Sequence, residues 1–156
     1  MTEERPLGPR LFTLAEAQRL VPLIRDRLGR IQDLYAQYDA CRKDLSVLRL
    51  VSSSGSGPDN PDTRRLADLQ QRESELLEQM RGAQDEVLRT GCVPKSFREG
   101  LIDFFALKDG CLVFLCWKQG EDAIETWHTL EGGFSGRMPI ALFEEDESRR
   151  DGEAAG

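Results

Sequence analysis

The side chains best able to do chemistry fall in one stretch, Gly100 to Arg137. Asp103, Cys111, Cys116, Trp117, Glu121, Trp127, His128 and Arg137 all lie there, interleaved with strand-forming residues. The stretch holds the chain's single histidine, both tryptophans and two of its four cysteines. His128, with an ordinary pKa of about 6.5, suits acid–base work or metal ligation. A carboxylate such as Asp103 or Glu121 would have to orient it. No motif places a nucleophile beside it, so a hydrogen-bonded structural histidine next to Trp127 is the plainer expectation. Trp117 and Trp127 suit core packing or a recognition patch that wants an N–H donor. Gly132-Gly133-Phe134-Ser135-Gly136-Arg137 offers backbone N–H groups and an arginine fork to an anion. It lacks the Gly-Lys-Ser/Thr ending of a phosphate-binding loop.

These side chains need strands to position them. Leu101–Leu107, Cys111–Lys118 and Ala123–Leu130 are rich in β-branched and aromatic residues, and Gly-containing turns separate them, so they read as a meander. A further short strand is expected over Met138–Phe143. A three-residue first loop, Lys108-Asp109-Gly110, pairs Leu107 with Cys111 and sets Asp103 opposite Leu115. A four-residue second loop pairs Lys118 with Ala123 and sets Val113 opposite His128 and Cys116 opposite Glu125. By alternation, Asp103 and His128 then share one face with Cys111, while Cys116 and Glu125 point to the other. A metal needs three or four convergent ligands. With the ligands divided between faces, neither a metal nor any other cofactor is expected. Both faces are apolar, which implies a cover on each: the helices on one and a second copy of the chain on the other, hence a homodimer.

Upstream, Phe12-Thr13-Leu14-Ala15-Glu16 is a capping box that starts a helix. Its apolar stripe runs through Ala17, Leu20, Val21, Ile24, Leu28, Ile31, Tyr35, Tyr38, Cys41, Leu45 and Leu48. Pro22 lies inside it and predicts a kink or an early stop. Leu66, Leu69, Glu73, Leu76, Met80, Ala83 and Val87 then repeat in alternating steps of three and four, a coiled-coil-like seam with one acidic intruder, Glu73. Thr90-Gly91 closes this second helix. The expected fold is α+β: a long antiparallel helical hairpin packed on a small antiparallel β-meander. The divisions are a flexible lead-in over 1–10, one domain over 11–143 and a disordered acidic tail over 144–156. Within the domain, the hairpin spans 13–90 with a flexible loop at 51–61, and the meander spans 100–143.

Charge narrows the partners. Lys+Arg number 21 against 28 Asp+Glu, a net of −7. Residues 1–100 balance, and the surplus is acidic from residue 101 onward. No basic face exists to displace counterions from phosphates, so nucleic acid is not an expected partner. No window approaches a membrane span, and no apolar leader opens the chain. Cytoplasmic residence with reduced thiols is the expectation, since the cysteines follow neither zinc-ribbon nor thioredoxin spacing.

Phe12-Thr13-Leu14 with Glu16-Ala17, then Gly100-Leu101 with Asp103-Phe104, Leu115-Cys116-Trp117, Gly120-Glu121, Trp127-His128 and Gly136-Arg137 with Pro139 form a distinctive set. From about Leu11 to Ile140 the chain resembles the bacterial family catalogued as domain of unknown function 2203. Members of that family usually carry Pro after the Asp-Phe pair, where this chain has Phe105. The resemblance brings no activity with it. The residues themselves point to a non-catalytic binding or assembly module. A small-molecule or protein partner would be held by Asp103, Trp117, Glu121, Trp127, His128 and Arg137. The alternatives are an enzyme, metal-dependent or acid–base, using His128 with Asp103 or Glu121, and a purely structural coiled-coil adaptor.

Overall fold

The computed structural model describes residues 8–52, 60–141 and 143. Most of the lead-in, the centre of the 51–61 loop and the acidic tail lie outside the described residues. Two helices, α1 (Leu14–Val51) and α2 (Pro61–Leu88), precede five strands: β1 (Val93–Ser96), β2 (Leu101–Lys108), β3 (Cys111–Lys118), β4 (Thr126–Thr129) and β5 (Met138–Pro139). The strands form one antiparallel sheet in sequence order. The α+β class and the helical hairpin are as the sequence implies. β1 is additional to the meander expected from residue 100. None of the described helices is long and apolar enough to cross a membrane.

The capping box forms as expected. The Glu16 N–H donates to Thr13 Oγ1 at 3.1 Å, and the Thr13 N–H donates to Glu16 Oε1 at 3.2 Å. These bonds hold the Glu16 carboxyl below its ordinary pKa. α1 does not stop at Pro22 and runs on to Val51. Packing of its stripe outweighs the lost hydrogen bond: Ala17, Val21, Ile24 and Leu28 are all buried on the same side.

Contacts divide into two compact units, one joining the chain up to Leu28 with the chain from Asp85 onward, the other spanning Gly29–Gln84. In the second unit the helices meet along their stripes. Ile31, Leu34, Cys41, Leu45 and Leu48 are buried from α1, and Leu76, Met80 and Ala83 from α2. Leu34 takes the inward position expected of Tyr35, whose hydroxyl instead accepts from Gln84 Nε2 at 2.6 Å. The acidic intruder in the seam is matched, since Glu73 pairs with Arg42 at 3.1 Å.

In the first unit, Phe12 meets Phe104 edge-on at 5.2 Å, and the start of α1 is tied to the sheet by polar contacts. The Gln18 side-chain amide brackets the backbone of Ile124, accepting from its N–H at 2.8 Å and donating to its carbonyl at 3.1 Å. Arg25 donates to the carbonyls of Glu121 and Asp122, each at 3.2 Å. Residues 121–124 therefore dock on α1 instead of continuing the ladder, and β4 begins only at Thr126. This corrects the strand expected from Ala123.

Gly91 closes α2 with φ 92°, and a Cβ there would lie 2.5 Å from Arg10 Cγ. Gly91→Ala should therefore destabilise by at least about 1–2 kcal/mol, the cost of a left-handed conformation for a residue with a Cβ. Gly29 lies inside α1, and a Cβ added there would meet nothing within 4 Å. Gly29→Ala should stabilise by about 0.5–1 kcal/mol. Urea denaturation of the two variants should shift in opposite directions.

Candidate functional site

The first hairpin turns on two residues, Asp109 (φ 52°) and Gly110 (φ 77°), so Lys108 pairs with Cys111. Asp-Gly with both φ positive makes a two-residue turn whose backbone twist matches the right-handed twist of the flanking strands. This corrects the expected register by one residue and sets Asp103 opposite Cys116. β4 is also one residue from the expected pairing, with His128 opposite Phe114 and Thr126 opposite Cys116. The two offsets cancel for Asp103 and His128, which share a face as expected. They do not cancel for Cys116, which moves to that same face. The division of ligand-type residues between the two faces is overturned.

Asp103, Cys116 and His128 converge, all buried, with their ligand atoms within 4.8 Å of one another. His128 Nε2 lies 3.2 Å from Asp103 Oδ2. His128 Nδ1 lies 2.9 Å from the Thr129 carbonyl, which can only accept, so Nδ1 carries a proton. A second proton must then sit between Nε2 and Oδ2, on the imidazolium or on the carboxylic acid.

Burial is the largest influence on Asp103 and raises its pKa. The charge of His128, a hydrogen bond from the Cys116 thiol and the Lys95 ammonium oppose it. Burial, followed by the adjacent Asp103 carboxylate, pushes the Cys116 thiol up to about 12.

The cluster forms one wall of a cavity of about 310 Å³. Leu101, Phe114 and Leu130 supply its apolar lining, Lys95 stands at it from β1, and Gly133 closes it from the segment after β4. The Lys95 ammonium lies over the Phe114 ring, 4.4 Å from its centroid, and Phe114 touches the His128 ring at 5.3 Å. The chain thus covers part of this sheet face itself. Leu107 and Leu112, paired at the far end, stay about 40% exposed.

Of the six residues expected to bind, only Asp103 and His128 line this cavity. Trp117 and Trp127 lie on the opposite face, in the core. Trp117 Nε1 donates to the Glu121 carbonyl at 3.0 Å. The Trp127 N–H is buried without a partner among the described residues, and the Lys108 ammonium lies over its ring at 5.1 Å. Glu121 supports a turn, its carboxylate accepting the Lys118 N–H at 2.6 Å. Burial raises the Glu121 pKa against that bond, and a hydrogen bond with the Glu125 carboxyl adds to the rise. Arg137 is near enough for its charge to favour the ionised forms of both Glu121 and Cys116. The glycine loop is less free to cradle an anion than its composition suggests. Its Gly132 N–H donates to Thr129 Oγ1 and its Gly136 N–H to the Gly133 carbonyl.

Sequence reasoning passed over Lys95, Leu101 and Phe114 as cavity residues and set Cys116 on the wrong face. The Asp-Gly dipeptide was the signal that would have corrected Cys116.

Cys41, Cys92 and Cys116 are buried and Cys111 is exposed. Burial also raises the pKa of Cys41, and that of Cys92 to about 11. A disulfide reagent at neutral pH should therefore modify one thiol per folded chain and all four after denaturation. Rapid modification of Cys116 in the folded protein would contradict this burial.

No curated protein and no solved structure matches the chain. The family described as "Uncharacterized conserved protein (DUF2203)" matches residues 10–140, covering both helices, the sheet and all three clustered side chains, and the chain belongs to that family.

Proposed function

We propose that the protein is a small-ligand-binding module whose site is the cavity between β1, β2, β3 and the segment after β4. The observation that carries this reading is the buried Asp103–His128 pair, 3.2 Å apart at the wall of a cavity lined largely by apolar side chains. A few placed polar groups in an apolar concavity are the usual composition of a small-molecule site. A buried ionisable pair with no task is expensive to keep, since apolar residues of similar volume would serve stability as well or better.

Binding is favoured over acid–base catalysis by the imidazole's own bonds. Nδ1 is committed to Thr129 and Nε2 meets the Asp103 carboxyl, so without displacing Asp103 neither nitrogen can exchange a proton with a substrate. Glu121, the other carboxylate considered for such chemistry, is occupied by the Lys118 N–H.

The single histidine makes the test clean, because the imidazole resonances of the labelled protein come from one residue. Titration with a panel of small carboxylic acids, amides and azoles should move the His128 signals saturably for at least one member. Leu101→Trp, which fills the cavity from β2, should abolish that response while the sheet's amide pattern persists. A panel that leaves His128 unmoved, or shifts that survive in Leu101→Trp, would overturn the reading.

A further inference from the structure

We propose that Asp103, Cys116 and His128 form a site for one divalent transition metal, zinc by ligand class, with its remaining coordination position open to the cavity. This rests on the cavity reading and names what the polar wall is for.

Geometry carries the inference. Carboxylate oxygen, thiolate sulfur and imidazole nitrogen are the three ligand types of protein zinc sites, and three protein ligands with an open fourth position mark the sites that also bind a small molecule. Bonds of about 2.0 Å to N and O and 2.3 Å to S imply tetrahedral ligand–ligand edges of about 3.3–3.5 Å. The Nε2–Oδ2 separation is 3.2 Å, and all three ligand atoms fall within 4.8 Å of one another. Side-chain adjustment of about an ångström closes the triangle without moving a strand, because each ligand stands on a different strand of one continuous sheet.

The surroundings supply what such ligands need. Metal-bound histidines usually donate their other N–H to a carbonyl or carboxylate, which fixes the ring and the tautomer. The 2.9 Å contact from Nδ1 to the Thr129 carbonyl is that bond, and it leaves Nε2 as the ligating atom. Directly opposite Cys116 stands Thr126, whose Oγ1 is buried with no hydrogen-bond partner among the described residues. Its hydroxyl can donate to a metal-bound thiolate, which gives an otherwise orphaned group a role. Charge also balances. When the metal replaces the proton between Asp103 and His128 and the thiol proton, carboxylate and thiolate together match a divalent ion, so the buried site remains neutral.

The test uses the full chain, purified without a histidine tag, stripped with chelator and titrated with cobalt(II) and then zinc(II). Cobalt should bind at one per chain. It should give a thiolate-to-cobalt charge-transfer band in the near ultraviolet with intense visible bands of a four-coordinate ion, and zinc should displace it. Cys116→Ser should lose the charge-transfer band, and Cys111→Ser should keep it. Asp103→Asn, which preserves shape, should weaken zinc by more than the roughly 10–100-fold that loss of an outer-shell partner costs. A wild-type cobalt spectrum lacking the thiolate band, or one unchanged in Cys116→Ser, would overturn the metal site whatever the variants' stability. If cobalt fails while an organic fragment still moves His128 in a Leu101-dependent way, the cavity reading stands and only the metal falls. If cobalt binds as described and no fragment reaches His128, the metal stands and the cavity is a solvent inlet.

Discussion

His128→Ala, measured in the presence of a chelator, should destabilise the fold by about 3–5 kcal/mol, the usual cost of removing one partner from a buried ion pair. Both members are about 95% or more buried, so solvent does not screen the pair. The loss should depend on pH with a definite sign. In the intact protein, burial raises the Asp103 pKa above its ordinary 3.8, and His128 is the largest of the influences holding it down. Removing the imidazole leaves burial with less opposition, so the folded-state pKa rises further. A group whose folded pKa lies above its unfolded value contributes stability that is complete below the unfolded value and is lost as pH rises through the folded one. The variant should therefore be least impaired at pH below the carboxyl's ordinary 3.8 and progressively worse as pH rises from there through the raised folded-state pKa. In Asp103→Asn/His128→Ala that slope should vanish, because no carboxyl remains to be desolvated. Asp103→Asn alone should cost far less, since its amide can donate to Nε2 and its oxygen can accept from the Cys116 thiol. Urea denaturation of the four proteins at three pH values completes the cycle. A pH-independent loss in His128→Ala would mean that the carboxyl is not the group left stranded.

What the sequence made legible follows from how local each signal is. The capping box, the two stripes and the closing glycine of α2 are set within a few residues, and each formed where expected save at Tyr35, whose inward place Leu34 takes. Pro22 failed as a stop signal because its cost is local while the burial of Val21, Ile24 and Leu28 belongs to the whole unit. The sheet was legible in its strands and not in its register. Side-chain direction has a period of two, so a single residue misplaced in a turn exchanges the faces. Reading Lys108 as part of the first loop, when Asp109-Gly110 alone makes the turn, was such an error. In the second connection the local pattern had no way to announce Gln18 and Arg25, more than ninety positions away in sequence, which hold the backbone of residues 121–124. Asp103 and His128 came out together because two offsets cancelled. Cys116, between them in the sheet order, was lost to the same arithmetic, and with it the meeting of three ligand types at one place.

Trp117→Ala should be the most damaging single truncation on the other face, about 3–5 kcal/mol as for other large-to-small changes in a core. The side chain is fully buried, lying against α1's side of the sheet, and it does more than fill space. Its N–H donates to the Glu121 carbonyl, the same oxygen that accepts from Arg25, whose guanidinium lies 5.9 Å from the indole ring. Trp117 thus joins β3, the turn after it and α1 at one point. Trp117→Phe keeps most of the volume and removes one donor from a carbonyl that retains another, so about 1 kcal/mol is expected. Neither change touches the cavity, which opens on the opposite face. Trp117→Phe should therefore leave the His128 resonances and any cobalt spectrum as they are, while lowering the midpoint of thermal unfolding. If Trp117→Phe shifted the His128 signals as strongly as Leu101→Trp, the two faces would be coupled through the sheet. Trp117 would then have a claim to the binding role its residue type first suggested. With the His128 signals unmoved, the indole holds the sheet to the helix and takes no part in recognition.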